Sequence, residues 1–312
     1  MTLANQTVVT EFILLGFSSL LQLQLLIFLV LLVMYIISLM GNILIIFITI
    51  VDPALSSPMY FFLRNLSFLD ICFTTVVVPK LLANLLSKNK SISFSGCKVQ
   101  MFFFFFFGTV ECFLLAAMAY DRYVAIYNPL RYTLVMNRRM CTQIILASWI
   151  SGIPVGITQI SWLFSFPFCG PSEVHHFFCD GPPLLELVCA DTYLFEMYSL
   201  TATIIIILSP FVLILASYTC IIYTVMKMKS AEGRHKAFST CSSHLIVVTL
   251  MYGTGSLIYI RPKSSYSPDT KRFLSLSYTV ITPMLNPLIY SLRNNEMKGT
   301  LRRILDRKIS FW

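Results

Sequence analysis

Long apolar runs alternate with short polar connections along the whole chain. The runs lie at 23–50, 59–86, 98–126, 140–163, 197–226, 238–260 and 273–292. Each is about 20 residues or longer, enough helix to cover roughly 30 Å of hydrocarbon at 1.5 Å per residue. The connections collect the breakers and charges: DPALSSP at 52–58, SKNKSISFSG at 87–96, NPLRYTLVMNRR at 128–139, KMKSAEGRHK at 227–236 and RPKSSYSPDTKR at 261–272. Lipid offers a backbone no hydrogen-bond partners, so runs of this length are predicted to be helices that satisfy themselves. The pattern predicts an all-α membrane protein: a seven-transmembrane helix bundle over 23–292, with a tail at 1–22, one long loop at about 164–195, and a second tail at 293–312.

Composition supports this reading. The 312 residues are 57% hydrophobic and 12% charged, and a soluble chain with so little charge would lack the polar residues to cover its surface. Charge placement then sets the orientation. The connections holding Arg122, Arg131, Arg138, Arg139, Lys227 and Arg234, with the C-terminal tail, carry twice the Lys and Arg of the opposite side, which predicts an N-terminus outside. Asn5-Gln6-Thr7, a glycosylation acceptor in a tail without Lys or Arg, and the acidic residues Glu173, Asp180, Glu186 and Asp191 of the long loop point the same way. The first apolar run is expected to serve as its own insertion signal. Arg302, Arg303, Arg307 and Lys308 suit a short amphipathic eighth helix lying on anionic membrane lipid. Four cysteines, Cys97, Cys169, Cys179 and Cys189, fall on the oxidising side, where three pairings are open to them. Cys72, Cys112, Cys141, Cys220 and Cys241 read as small buried residues.

Two acids break the lipid logic. A charge at mid-bilayer costs roughly 2.5–3.5 kcal/mol, so Asp70 and Glu111 are functional candidates. Helical spacing places Glu111 on one stripe with Cys97, Met101, Phe104, Gly108, Leu115, Met118 and Arg122, a stripe that must face the bundle interior. The segment MFFFFFFGTVECF therefore holds two populations of rings: Phe104 inward with Phe105 at the border, and Phe102, Phe103 and Phe106 toward lipid or neighbouring helices. At the inner end of the same helix Asp121 stands beside Arg122 and can neutralise it until release. Seven helices also suit a transporter with an ion path through Asp70 and Glu111, but no inverted repeat accompanies them. An intramembrane hydrolase would need acids at metal spacing from His235 and His244, and the sequence has none.

Gly41-Asn42, PMYFFLRNLSFLD, MAYDRYVAIYNPLRY, SYTCII, KAFSTCSSHL and PMLNPLIYSLRN together resemble the rhodopsin-like class A G-protein-coupled receptors. Through KAFSTCSSHL and MAYDRYVAI the chain resembles their olfactory branch. The resemblance implies a plasma-membrane odorant receptor of olfactory cilia, not an enzyme. It would bind a small volatile, mostly apolar odorant and activate a Gs-type heterotrimeric G protein to raise cAMP; no nucleic acid is implied. It assigns activation to Asp121, Arg122, Tyr123, Tyr218, Lys236, Asn286, Pro287 and Tyr290, with Tyr218 and Tyr290 swinging toward Arg122 in the active state. It assigns a polar centre to Asn42, Asp70, Glu111 and Asn286, where water or a sodium ion would sit, and implies no other cofactor or metal.

The resemblance also implies the disulfides Cys97–Cys179 and Cys169–Cys189. A cysteine used in a bridge is no thiolate ligand, so His176, three residues before Cys179, reads as a loop residue. Stripe and resemblance together place a ligand pocket at Phe104, Phe105, Gly108, Thr109, Thr203, Ile206, Ile207, Tyr252, Gly255, Tyr259, Tyr278 and Thr279. Its walls are expected to carry no inward charge, with Arg261 the nearby cation at the rim. The sixth run carries Met251-Tyr252-Gly253 and no proline before Pro262, which departs from the proline hinge of the wider class.

Overall fold

The computed structural model describes residues 9–169, 172–260, 267–293 and 297–303. Among the described residues six helices are long and apolar enough to cross a membrane: α1 (Gln24–Val51), α2 (Pro58–Leu86), α3 (Phe94–Tyr127), α4 (Arg138–Leu163), α5 (Tyr193–Lys227) and α6 (Ala231–Tyr259). Their starts are written locally. Proline stands at the first position of α2, and Ser93, Asn137 and Ser230 accept hydrogen bonds from the free N–H groups of Gly96, Met140 and Gly233.

The seventh apolar run folds as a helical stretch, α7, in three consecutive pieces: Pro268–Leu276, a π-turn at Ser277–Ile281, and Thr282–Arg293. It begins five residues before the apolar run because Ser267 caps it and Pro268 opens it. In the π-turn the Thr282 hydroxyl donates to the Ser277 carbonyl at 3.0 Å. The register shift at this point rotates every following side chain relative to a continuous helix.

α3 is the axis of the bundle. It buries 67% of its most apolar 18-residue window, against 22% for α1, whose exposed Leu, Ile and Val side chains face outward. α3 and α4 approach closely where glycines remove the side chain: a Cβ at Gly152 would stand 2.6 Å from the Phe106 carbonyl, and one at Gly156 would stand 2.7 Å from the Phe102 ring. Two of the outward phenylalanines are thus ridges in a groove of α4, while Phe103 is the one that stays open.

The long loop caps one end of the bundle, called the lid end below. There an element without a counterpart in the all-α expectation appears, a three-stranded sheet with β1 (Glu11–Leu14) between β2 (Ser91–Ser93), antiparallel, and β3 (Glu173–Val174), parallel. The tail residues alternate: Phe12 and Leu14 are buried against Val174, Leu184 and Phe195, which a period of two allows and a helix would not. Cys97–Cys179 ties the loop to the start of α3 and Cys169–Cys189 closes the loop on itself.

Candidate functional site

Below the lid lies a cavity of about 100 Å³. α3 contributes Phe104, Phe105, Gly108, Thr109, Glu111 and Cys112; α5 contributes Thr203, Ile206 and Ile207; α6 contributes Met251, Tyr252, Gly255 and Tyr259; Phe73, Val155, Gln159 and Tyr278 come from α2, α4 and α7. Gly108 and Gly255 have no atom within 4 Å of where a Cβ would stand, so their missing side chains are part of the space. Thr279 does not line it. The π-turn places that residue at full burial, with its hydroxyl spent on the Ser275 carbonyl at 2.7 Å.

The expectation of uncharged walls also fails, because Glu111 belongs to them. Arg261 lies outside the described residues; a cation placed near the lid is Arg272, buried and paired with Asp269 at 2.8 Å.

The roof is aromatic and acidic. Phe178 of the loop meets Phe104 at 4.8 Å between ring centres. Beside it Asp180 accepts from its neighbour's Gly181 N–H at 2.8 Å and from the Tyr259 hydroxyl at 3.1 Å, and Tyr259 meets Tyr278 at 2.9 Å. Burial raises the Asp180 carboxyl to about 6. His176 lies 3.2 Å from the Ser275 hydroxyl and stacks on Phe177; burial first, then the charge of Arg272, lowers its imidazole to about 3, so it is neutral.

Beneath the cavity is a polar centre. Asn286 donates to Asp70 at 2.9 Å, and Asn42 donates to the carbonyls of Ser38 and Pro283 at 2.9 and 3.2 Å. Among the described residues four buried oxygens here have no protein partner: Asn42 Oδ1, Asp70 Oδ1, Glu111 Oε1 and Asn286 Oδ1. Such groups are costly unless something polar meets them, and two carboxylates and two amide oxygens form an oxygen-only donor set that fits a hard monovalent cation or water.

At the end opposite the lid, Arg122 is buried and donates to the Met118 carbonyl at 3.1 Å, while Asp121 accepts from Tyr132 at 2.8 Å. Tyr218 reaches His244, and among the described residues the Tyr290 hydroxyl is buried without a partner. Tyr123 is half-buried, with its ring stacked on Tyr127, and Pro287 lies inside the last piece of α7. Lys236 is helical in α6, its side chain outside the described set, and Asn5 lies outside the described residues.

A lid over a lined cavity, a buried acid pair and a buried arginine at the far end of the same helix are the features that comparison with known proteins can place. A family model described as olfactory receptor matches residues 31–308. Human olfactory receptor 10A7 is 59% identical over 305 residues, 98% of this chain and 96% of that one. The chain belongs to the olfactory receptor family. Human olfactory receptor 10A5 is 58% identical over 311 residues, covering 99% and 98% of the two chains, and mouse olfactory receptor 6E1 is 50% identical over 301, covering 96% of each.

As an olfactory receptor the chain is a multi-pass signalling protein and not an enzyme. Sequence reasoning placed eleven of its twelve pocket residues in the cavity wall and missed the α4 side. A signal existed there: Gln159 is a long polar residue in an apolar helix, and it is buried with its amide on Ser199 at 3.2 Å. Phe73 and Cys112 carried no such signal, since an apolar side chain looks the same in a core and in a pocket.

Proposed function

We propose that this receptor crosses the plasma membrane seven times with its N-terminus outside, binds a small, mostly apolar odorant in the cavity under the lid, and couples to a Gs-type G protein that raises cAMP. The observation carrying this reading is the cavity itself, apolar on most of its wall and lined chiefly by α3, α5 and α6 above the polar centre. Residues 297–303, helical and held to Asp52 through Thr300 and Arg303, support a short eighth helix along the membrane. Olfactory cilia follow as the site of action.

A volume near 100 Å³ is smaller than the roughly 150 Å³ that admits benzene, so ligand entry moves the walls. The residues that can yield are those with slack: Met251 with its flexible thioether, and the sides of Gly108 and Gly255. Widening at α6 biases the inner end of that helix, which packs on α3 near Arg122 through His244. A sodium ion at Asn42, Asp70, Glu111 and Asn286 would supply fixed positive charge to the acid pair, and these side chains would hold it.

The test is a cAMP reporter in cells carrying the full-length receptor. An odorant panel is expected to yield concentration-dependent cAMP that Arg122→Ala abolishes at unchanged surface level. Responses that survive Arg122→Ala would overturn the coupling.

A further inference from the structure

Building on the odorant-receptor reading, we propose that the cavity selects ligands whose polar group donates a hydrogen bond, an alcohol or phenol on a small apolar skeleton, and that Glu111 accepts that bond. Four of the wall hydroxyls have their hydrogens committed elsewhere. Tyr252 donates to the Cys112 carbonyl at 3.0 Å and Thr109 to the Phe105 carbonyl at 2.8 Å. Tyr259 donates to Asp180 at 3.1 Å, which leaves Tyr278 as the donor to Tyr259 at 2.9 Å. A hydroxyl has one hydrogen, so these four groups meet a ligand with lone pairs only.

Glu111 points the same way more strongly. It lines the cavity and is 3% exposed, its Oε1 has no partner, and among the described residues no hydrogen bond reaches its other oxygen. A carboxyl group keeps acceptor lone pairs whether or not it is ionised. Among the described residues no Lys, Arg or His lines the cavity, and the Gln159 amide gives one of its two hydrogens to Ser199. Thr203 is the wall hydroxyl whose hydrogen no partner takes among the described residues. A ketone or ether would leave the Glu111 acceptor orphaned, whereas an alcohol satisfies it. Leaving a buried polar group unmatched costs far more discrimination than a change of one methylene.

The experiment compares matched compounds on the full-length receptor with a cAMP reporter: primary alcohols and phenols against the methyl ethers, ketones and carboxylic acids of the same skeletons. Alcohols or phenols are expected to act at concentrations about tenfold lower or more than their ethers. Glu111→Gln, whose amide donates as well as accepts, is expected to narrow that gap. Should this variant fail to reach the surface, Glu111→Asp, which draws the carboxyl back by one carbon, decides: a narrowed gap between alcohols and ethers supports the assignment, and an unchanged gap overturns it. Ethers or ketones matching the alcohols, or a gap unchanged in a surface-expressed Glu111→Gln, also overturn it. Silence toward every compound at normal surface level would instead count against the odorant-receptor reading itself.

Discussion

The Tyr218 hydroxyl lies 2.8 Å from Nδ1 of His244, and the other ring nitrogen of His244 lies 3.0 Å from the Leu115 carbonyl. A carbonyl only accepts, so Nε2 carries the proton, Nδ1 accepts, and Tyr218 donates. One fully buried imidazole thereby joins α5, α6 and α3 at the end opposite the lid.

This bridge engages the Tyr218 hydroxyl and ties three helices together. His244→Phe keeps bulk and removes both bonds, so ligand-independent cAMP should rise, about tenfold for each 1.4 kcal/mol that the bridge contributes to the resting state. Tyr218→Phe should instead lower the maximal odorant response, since it also removes the group that would meet Arg122. Unchanged basal cAMP in His244→Phe at equal surface level would exclude the bridge from activation.

The lid contains two groups with opposite pH dependence. Asp180 is raised to about 6, so its contribution to stability is full at acid pH and is lost as pH rises through 6; His176 is lowered to about 3, so its contribution is full above about 6.5 and is lost as pH falls. Between pH 7 and 5 the two oppose each other, each by roughly 1–2 kcal/mol. Thermal unfolding of purified receptor should show Asp180→Asn melting lower at pH 5 than at pH 7, and His176→Gln melting higher. The same slope in both variants would refute the assignment.

Glycine has two uses here, and substitution separates them. Gly152→Ala drives a methyl to within 2.6 Å of a backbone carbonyl in α3 and should reduce surface expression through about 1–3 kcal/mol of overpacking. Gly108→Ala meets open space and should fold normally while shifting odorant potency by filling the cavity. Surface labelling beside concentration-response curves checks both.

Asp52 gathers the helical segment 297–303 onto the α1–α2 connection, accepting from Thr300 at 2.8 Å and Arg303 at 2.9 Å. Thr300 is fully buried and Arg303 is mostly exposed, so Thr300→Val should destabilise by about 1 kcal/mol and Arg303→Gln by less than half of that. The comparison is made by thermal unfolding; equal losses would show that the ion pair, not the buried hydroxyl, holds the segment.

Much of this receptor was determined by its sequence alone, because apolar length and helical period report directly on what lipid requires. Seven runs marked seven helical stretches to within a few residues, and a single stripe from Cys97 to Arg122 predicted the inward face of α3 and the burial of Glu111. Family motifs carried the pocket and the two disulfides. Tertiary structure decided what depends on partners distant in the chain. The sheet at 11–14 exists only because Ser91–Ser93 and Glu173–Val174 flank it. The π-turn rotates Thr279 out of the wall, and no local signal for that register shift precedes it. Two of the six phenylalanines pack on glycines of α4 instead of lipid, since a ring's outward direction does not say which helix will stand there. Whether an acid is paired or orphaned is likewise decided by neighbours far along the chain, which is why Asp70 meets Asn286 while Glu111 faces the cavity with an acceptor to spare.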